Sequence, residues 1–200
     1  MARTAEPGRR DAILDAAHAV FARKGYTAAG IADLAGELGI GHGTVYRYFD
    51  NKRDVAAAVL DRALTRIAEV VAAESPDASG SLSQYRAQVW RIGRRLYELF
   101  AADPAMGRLV FFDLACVDEE LRERHRQALD RFADYTAAYL RNGVDRGFLR
   151  ADLDIEITAR VINGMVFAGA AQVARDPAAG DLRDAWIAAV VTLMFDGLAR

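Results

Sequence analysis

The stretch from Gly39 to Asp54, Gly-Ile-Gly-His-Gly-Thr-Val-Tyr-Arg-Tyr-Phe-Asp-Asn-Lys-Arg-Asp, constrains the fold of this chain more than any other. It is preceded by Ile31, Leu34, Ala35 and Leu38, which recur at the helical period. A glycine just past the last of these is where a helix stops. Gly41 is a tolerable N-cap, weaker than serine or threonine because it has no side-chain acceptor. A second helix of about two turns then fits from His42 to Phe49. Val45 and Phe49 are four apart and share its buried side, which leaves His42, Thr44, Tyr46, Arg47 and Tyr48 pointing elsewhere. Two short helices joined by a tight glycine turn make a helix-turn-helix, whose second helix is shaped to enter a major groove.

Gly-Thr-Val-Tyr-Arg-Tyr-Phe-Asp-Asn-Lys-Arg-Asp-Val, from Gly43, closely resembles the recognition helix and following helix start of the TetR family of bacterial transcriptional repressors. The preceding segment, Gly25 to Ile40, is similar to that family's second helix and turn. The specificity lies in the ordered set Gly25-Tyr26, Ala35, Gly39, Gly43-Thr44, Tyr46, Phe49 and Lys52, which spans about the first quarter of the chain. The resemblance implies that Thr44, Tyr48 and Lys52 bind phosphate, and that His42, Gly43 and Tyr46 approach base edges. Arg47 is placed to reach either. A hydroxyl, a phenol and an ammonium are apt phosphate donors, and such contacts set register, whereas a tyrosine ring can pack on a thymine methyl. Gly30 and Gly41 depart from the family, which often has threonine or serine caps there. Ala32 stands at a second-helix position that in some relatives reads a base, so base readout is expected to rest mostly on the third helix.

The net charge of −2 argues against indiscriminate nucleic-acid binding. Its distribution is more telling. Residues 1–53 hold eight Lys and Arg against six acids, a net +2, and the remainder is −4. A mildly basic head on an acidic body fits a molecule that presents one end to DNA. No uninterrupted apolar run reaches the roughly 18 residues needed to span a bilayer, and no apolar secretory segment follows the first methionine. One cysteine, Cys116, excludes an intrachain disulfide framework. These features predict a cytoplasmic protein with no membrane partner.

The rest of the chain reads as helices, about nine in all, with no strand pattern. Arg9 and Arg10 open the first, with Ile13, Leu14, Ala17, Val20 and Phe21 on its apolar side, and Gly25 ends it. Residues 1–8 read as a disordered arm. A fourth, long helix runs from Lys52 to about Ala73, and the Ser75–Ser81 segment reads as a linker by composition. The fifth runs from Leu82 to Ala101, and Asp103-Pro104 opens a short sixth to about Val117. The seventh spans about Asp118 to Asn142, with Gly143, Gly147 and Asp152 marking a loop. The eighth spans about Asp154 to Ala174, Asp176–Gly180 is a turn, and the ninth spans about Leu182 to Leu198. The fold class expected is all-α, with a DNA-binding domain at 1–53 and an effector-binding and dimerisation domain at 54–200.

In the body, Asp113, His125 and Arg86 stand where the period predicts apolar residues. Buried charges need partners, so each is either internally paired or lines a pocket. The ligand set expected between the fifth, sixth and seventh helices is Arg86, Trp90, Tyr97, Asp113, Cys116, His125, Phe132 and Tyr135, holding an unknown, mostly apolar or aromatic small molecule. An Asp113–Cys116–His125 metal site has no ligand spacing to support it. An enzyme using Asp113 and His125 as an acid/base pair is the alternative to a regulator, and neither a cofactor nor catalysis is expected. Small residues on the last two helices allow close approach. Gly164, Met165, Ala168, Trp186, Ala189, Val190 and Leu193 are therefore expected to pair across a two-fold axis into a four-helix homodimer interface. The expected DNA partner is a pseudo-palindromic double-stranded operator.

Overall fold

The computed structural model describes residues 8–114, 117–175 and 182–198. Among them every regular element is helical: α1 (Arg9–Lys24), α2 (Ile31–Glu37), α3 (His42–Val45), α4 (Lys52–Ala72), α5 (Leu82–Ala102), α6 (Pro104–Arg108), α7 (Glu119–Asp145), α8 (Ile155–Arg175) and α9 (Leu182–Leu198). The expected arm, the 176–180 turn and Cys116 fall outside the described residues, apart from Gly8. The chain forms two compact units, Met1–Leu64 with Arg108–His125, and Thr65–Gly107 with Arg126–Arg200.

In the first unit α1 packs on α2 and α2 on α3. Ile13, Leu14, Ala17, Val20 and Phe21 are buried, as the period predicts. Gly25 stops α1 at φ 77°, a left-handed conformation that costs glycine little. The turn after α2 is a Schellman motif. Gly39, at φ 63°, donates to the Gly36 carbonyl at 3.2 Å, and Ile40 donates to the Ala35 carbonyl at 3.0 Å. At the start of α2 the N3 half of a capping box is present without the cap hydroxyl. Asp33 accepts the Gly30 N–H at 2.9 Å and the Lys24 ammonium at 2.6 Å. Those partners, Lys24 first, hold the Asp33 carboxyl below the usual range. The α-helical part of α3 is shorter than the two turns expected. After Val45 the chain tightens to i→i−3 bonds, Arg47 to Thr44 and Tyr48 to Val45, yet Val45 and Phe49 still enter the core. This unit reaches beyond residue 53 because Val55, Ala56, Val59 and Leu60 of α4 are buried in it. It also takes in a π-helical turn, Leu109–Asp113, closed by the Leu114 N–H on the Leu109 carbonyl at 2.9 Å.

In the second unit α5 packs on α8 and α9, and α8 on α9. Arg183 stands over Tyr97, Ile187 against Gly93, and Phe195 against Tyr85. One position rises along α9 as the other falls along α5, so the two helices run antiparallel. The segment read as a linker is bound on several sides. Gln88 is fully buried, donates to the Ser75 carbonyl at 2.7 Å and accepts the Ser79 hydroxyl at 2.9 Å. Tyr139 donates to the Glu74 carbonyl at 2.6 Å, and Asn142 to that of Ser79 at 2.9 Å. The loop expected at Gly143 is instead helix, because α7 runs on to Asp145 and the chain turns at Gly147, φ 74°. Phe148 and Leu149 both donate to the Gly143 carbonyl at 3.0 Å, and a Cβ at 143 would lie 2.5 Å from Leu149 Cδ1. A glycine is needed there for packing rather than for a turn.

Candidate nucleic-acid interface and effector cavity

The Schellman turn and the buried Val45 and Phe49 fix how α3 presents its other side. His42, Gly43 and Arg47 are exposed, Tyr46 is 53% exposed, and Thr44 and Tyr48 are half-buried. Tyr46 therefore offers its ring and hydroxyl to a partner. The Arg47 guanidinium lies 5.9 Å from the Tyr48 ring centroid, so a cation and two phenols lie along one short stretch. A Cβ added at Gly41 or Gly43 would meet nothing within 4 Å, so the backbone here is open to a close-fitting partner.

Lys52 is placed differently from expectation. Its ammonium donates to the carbonyls of Tyr26 and Ala29 at 2.9 Å each and of Thr27 at 3.4 Å. It also sits 4.3 Å from the Tyr26 ring centroid. A lysine has three donors, and all three face the turn between α1 and α2. In this structure it ties that turn to the start of α4.

The second unit holds a cavity of about 150 Å³. Its wall comes from α4, α5, α7, α8 and α9, and is apolar apart from a few groups. Arg183 is the one charged residue lining it among the described residues. The guanidinium stands 5.8 Å from the Tyr97 ring centroid and pairs with Asp184 at 2.7 Å. Phe132 packs edge-on against Phe167 at 5.7 Å between centroids. Tyr139 and Tyr85 also line the cavity. Burial, with the Glu74 charge adding, pushes the Tyr139 phenol up to about 12, and burial moves Tyr85 further. Both stay neutral, so the tyrosine end is uncharged.

The cavity lies among α5, α7, α8 and α9 rather than between the fifth, sixth and seventh helices. Of the expected ligand set, Tyr97 and Phe132 line it. Arg86 is exposed, its guanidinium 5.4 Å from the Phe195 centroid, because a long cation covers the ring while keeping its charge in water. Trp90 packs on the core without lining the cavity, and Tyr135 is 39% exposed. Asp113 and His125 belong to the other unit. Asp113 pairs with Arg108 at 3.3 Å. His125 is half-buried, with Nε2 unpartnered, and desolvation lowers its pKa. Cys116 lies outside the described residues. The groups missed were Arg183, Thr136 and Asn163. Asn163 had a signal, being a lone amide in the apolar run Val161-Ile-Asn-Gly-Met-Val-Phe.

Of the residues expected to meet a second copy, Gly164, Ala168, Trp186, Ala189 and Leu193 are exposed, the last at 64%. Val190 is 8% exposed and faces the cavity, and Met165 is half-buried against the core. Val190 is therefore an interior residue, since α9 turns that side to α5 and α8. Ile157 and Val161, at 62% and 56%, extend the exposed row on α8.

A glycine-turned helix pair with an exposed aromatic and cationic recognition segment, joined to a helical body with an apolar cavity, defines a one-component DNA-binding regulator. The family model for bacterial regulatory proteins of the tetR family matches residues 13–59, and the chain belongs to the TetR family of transcriptional regulators. Over 154 residues it is 22% identical to the fatty acid metabolism regulator protein of Bacillus subtilis (strain 168), 77% of each chain. The fatty acid degradation regulator FadR from Bacillus halodurans shares the fold at a TM-score of 0.82 and 23% identity, over 99% of this chain and 100% of that one. FadR from Bacillus subtilis in complex with stearoyl-CoA does so at 0.77 and 21%, over 94% and 99%.

Proposed function

We propose that this protein is a homodimeric repressor that leaves a pseudo-palindromic operator when its body binds a ligand with a long apolar part and an anionic group. The observation that carries the ligand class is the cavity, with its apolar wall and Arg183, the one charged residue lining it among the described residues. The similarity to fatty acid regulators, one of them solved with stearoyl-CoA, supports the same class.

His42, Gly43, Thr44, Tyr46, Arg47 and Tyr48 form the DNA-facing surface. The apolar rows on α8 and α9, Ile157, Val161 and Leu193 with the small Gly164, Ala168 and Ala189, supply the two-fold contact. A dimer is needed because two recognition helices must meet half-sites about one DNA turn, roughly 34–36 Å, apart. Ile67 and Val71 line the cavity and belong to α4, the helix that Lys52 begins. A ligand that displaces this wall acts on the helix whose first residue ties down the head. It shifts the balance only as far as it prefers the displaced state.

The test is an operator selected from random duplex DNA and challenged with acyl-CoA thioesters of graded chain length. Long-chain thioesters should weaken operator binding by about tenfold or more, a difference of ~1.4 kcal/mol, and free CoA should not. Operator binding untouched by every thioester would reject this ligand class.

A further inference from the structure

Among the described residues three buried side-chain nitrogens have no hydrogen-bond partner, and of these only Asn163 lines the cavity. Its Oδ1 accepts the Thr136 hydroxyl at 2.8 Å, and both hydrogens of Nδ2 are left without a protein partner. A buried donor without an acceptor destabilises the fold, and native structures hold few of them. Its neighbours on α8 are Ile162 and Val166, and a leucine could fill the same space without the penalty. A bound acceptor in the cavity would satisfy that donor.

Its position relative to Arg183 gives the cavity a direction. Arg183 stands over Tyr97, whereas Tyr85 lies twelve positions earlier on α5, about 18 Å away at 1.5 Å per residue. Tyr139 stacks on Tyr85, and Thr136, one turn earlier on α7, bonds Asn163. The cation thus marks one end of the cavity, and the unused donor lies within about a turn of the other.

We propose that the effector is bipolar. Its anionic group, a carboxylate or a phosphate, sits at Arg183, and an oxygen near the opposite end of its apolar body accepts from Asn163 Nδ2. This rests on the anionic-ligand reading above and narrows it from plain acyl chains to chains oxygenated far from the head. In a wholly apolar cavity a terminal hydroxyl weakens binding, because it loses its water bonds and gains nothing. Opposite Asn163 the sign reverses.

The experiment compares dodecanoate, tetradecanoate and hexadecanoate with their terminally hydroxylated counterparts, each as free acid and as CoA thioester, by calorimetry and by operator release. In the wild type at least one hydroxylated chain should bind about fivefold or more tighter than its parent. In Asn163→Leu the order should invert, with parents binding as well as before or better. Asn163→Ala is the second variant should leucine crowd the wall, and it should abolish the preference. The free-acid and thioester arms tell carboxylate from phosphate recognition. Parents that bind while every hydroxylated chain binds more weakly to the wild type would overturn the bipolar ligand and leave the cavity's ligand class standing. Failure of parents and hydroxylated chains alike would overturn both.

Discussion

The indole of Trp186 occupies the space that a side chain at position 169 would need. A Cβ added to Gly169 would lie 2.5 Å from Trp186 Cδ1 and 2.7 Å from Cε2. The ring is held there by its N–H, which donates to the Met165 carbonyl at 3.2 Å. Both residues line the cavity, so the contact sets how closely α8 and α9 approach. Gly169→Ala should cost about 1–3 kcal/mol through overpacking, which for a chain of this size lowers the melting temperature by roughly 2–4 °C per kcal/mol. Differential scanning calorimetry would check it, and an unchanged melting temperature would mean that the ring is not fixed.

Lys52→Ala should lower the stability of the head by about 1–2 kcal/mol, through the lost carbonyl bonds and the lost contact with Tyr26. Its operator affinity should keep the wild-type slope against salt if the ammonium stays on those carbonyls when DNA binds. Tyr46→Ala should leave stability within about 0.5 kcal/mol, as exposed substitutions do, and erode discrimination between operator and competitor DNA. Binding titrations at several salt concentrations separate the two. A slope for Lys52→Ala shallower by one contact would restore the phosphate role.

Phe132→Leu keeps the buried volume roughly filled but removes the edge contact to Phe167. It should weaken ligand-driven release several-fold, with operator affinity of the free protein nearly intact and a stability loss of about 1 kcal/mol. Equal losses in both would place Phe132 in the general core rather than in recognition.

Leu193→Glu alters a side chain that is 64% exposed in one protomer, so the fold should be preserved by circular dichroism. Sedimentation at micromolar concentration should shift toward monomer, with operator binding lost. Val190→Glu, by contrast, should unfold the body, because that position is interior. A wild type that sediments as a monomer would count against the dimer.

Burial lowers the pKa of His125 below its ordinary 6.5. Above 6.5 the residue is neutral both folded and unfolded. As pH falls below that value the unfolded chain takes up a proton that the folded chain resists, so stability declines toward the folded pKa. Thermal melts at pH 7.5, 6.5 and 5.5 should show this loss in the wild type and less of it in His125→Gln. Asp33 and Glu74 act separately and lower. Their carboxyls are held down by Lys24 and Arg91, so their contribution is lost only as pH falls below the ordinary carboxylate range.

Some helix boundaries were legible where caps and breaks are local. Gly25 and Gly39 announced their positive φ, and Pro104 its helix start. The α3 end was not, since it depends on where the chain must tighten to bury Phe49. The DNA-facing residues were legible for a related reason, as an exposed Tyr46 has no local structural excuse. The cavity was harder. Periodicity places Trp90 and Arg86 in the apolar arc of α5 and Val190 in that of α9, but not which part of either arc meets a neighbour, a void or water. That depends on the antiparallel pairing of α5 with α9, which no single helix encodes. The segment at 75–81 misled for the converse reason. Its Ser, Pro and Gly composition speaks for a free spacer, and the bonds that fix it come from Gln88 and Asn142 on the helices it packs beside, with Tyr139 holding Glu74 just before it.

The continuity of α4 has a thermodynamic consequence. Lys52 and the cavity residues Ile67 and Val71 share one helix. Whatever factor the effector takes from operator affinity, the operator must take from effector affinity. Protein sitting on its operator is thus a poorer sensor than protein free in solution, by that same factor. The concentration at which a gene responds is set by the DNA-bound form, so an affinity measured on the free protein will underestimate it.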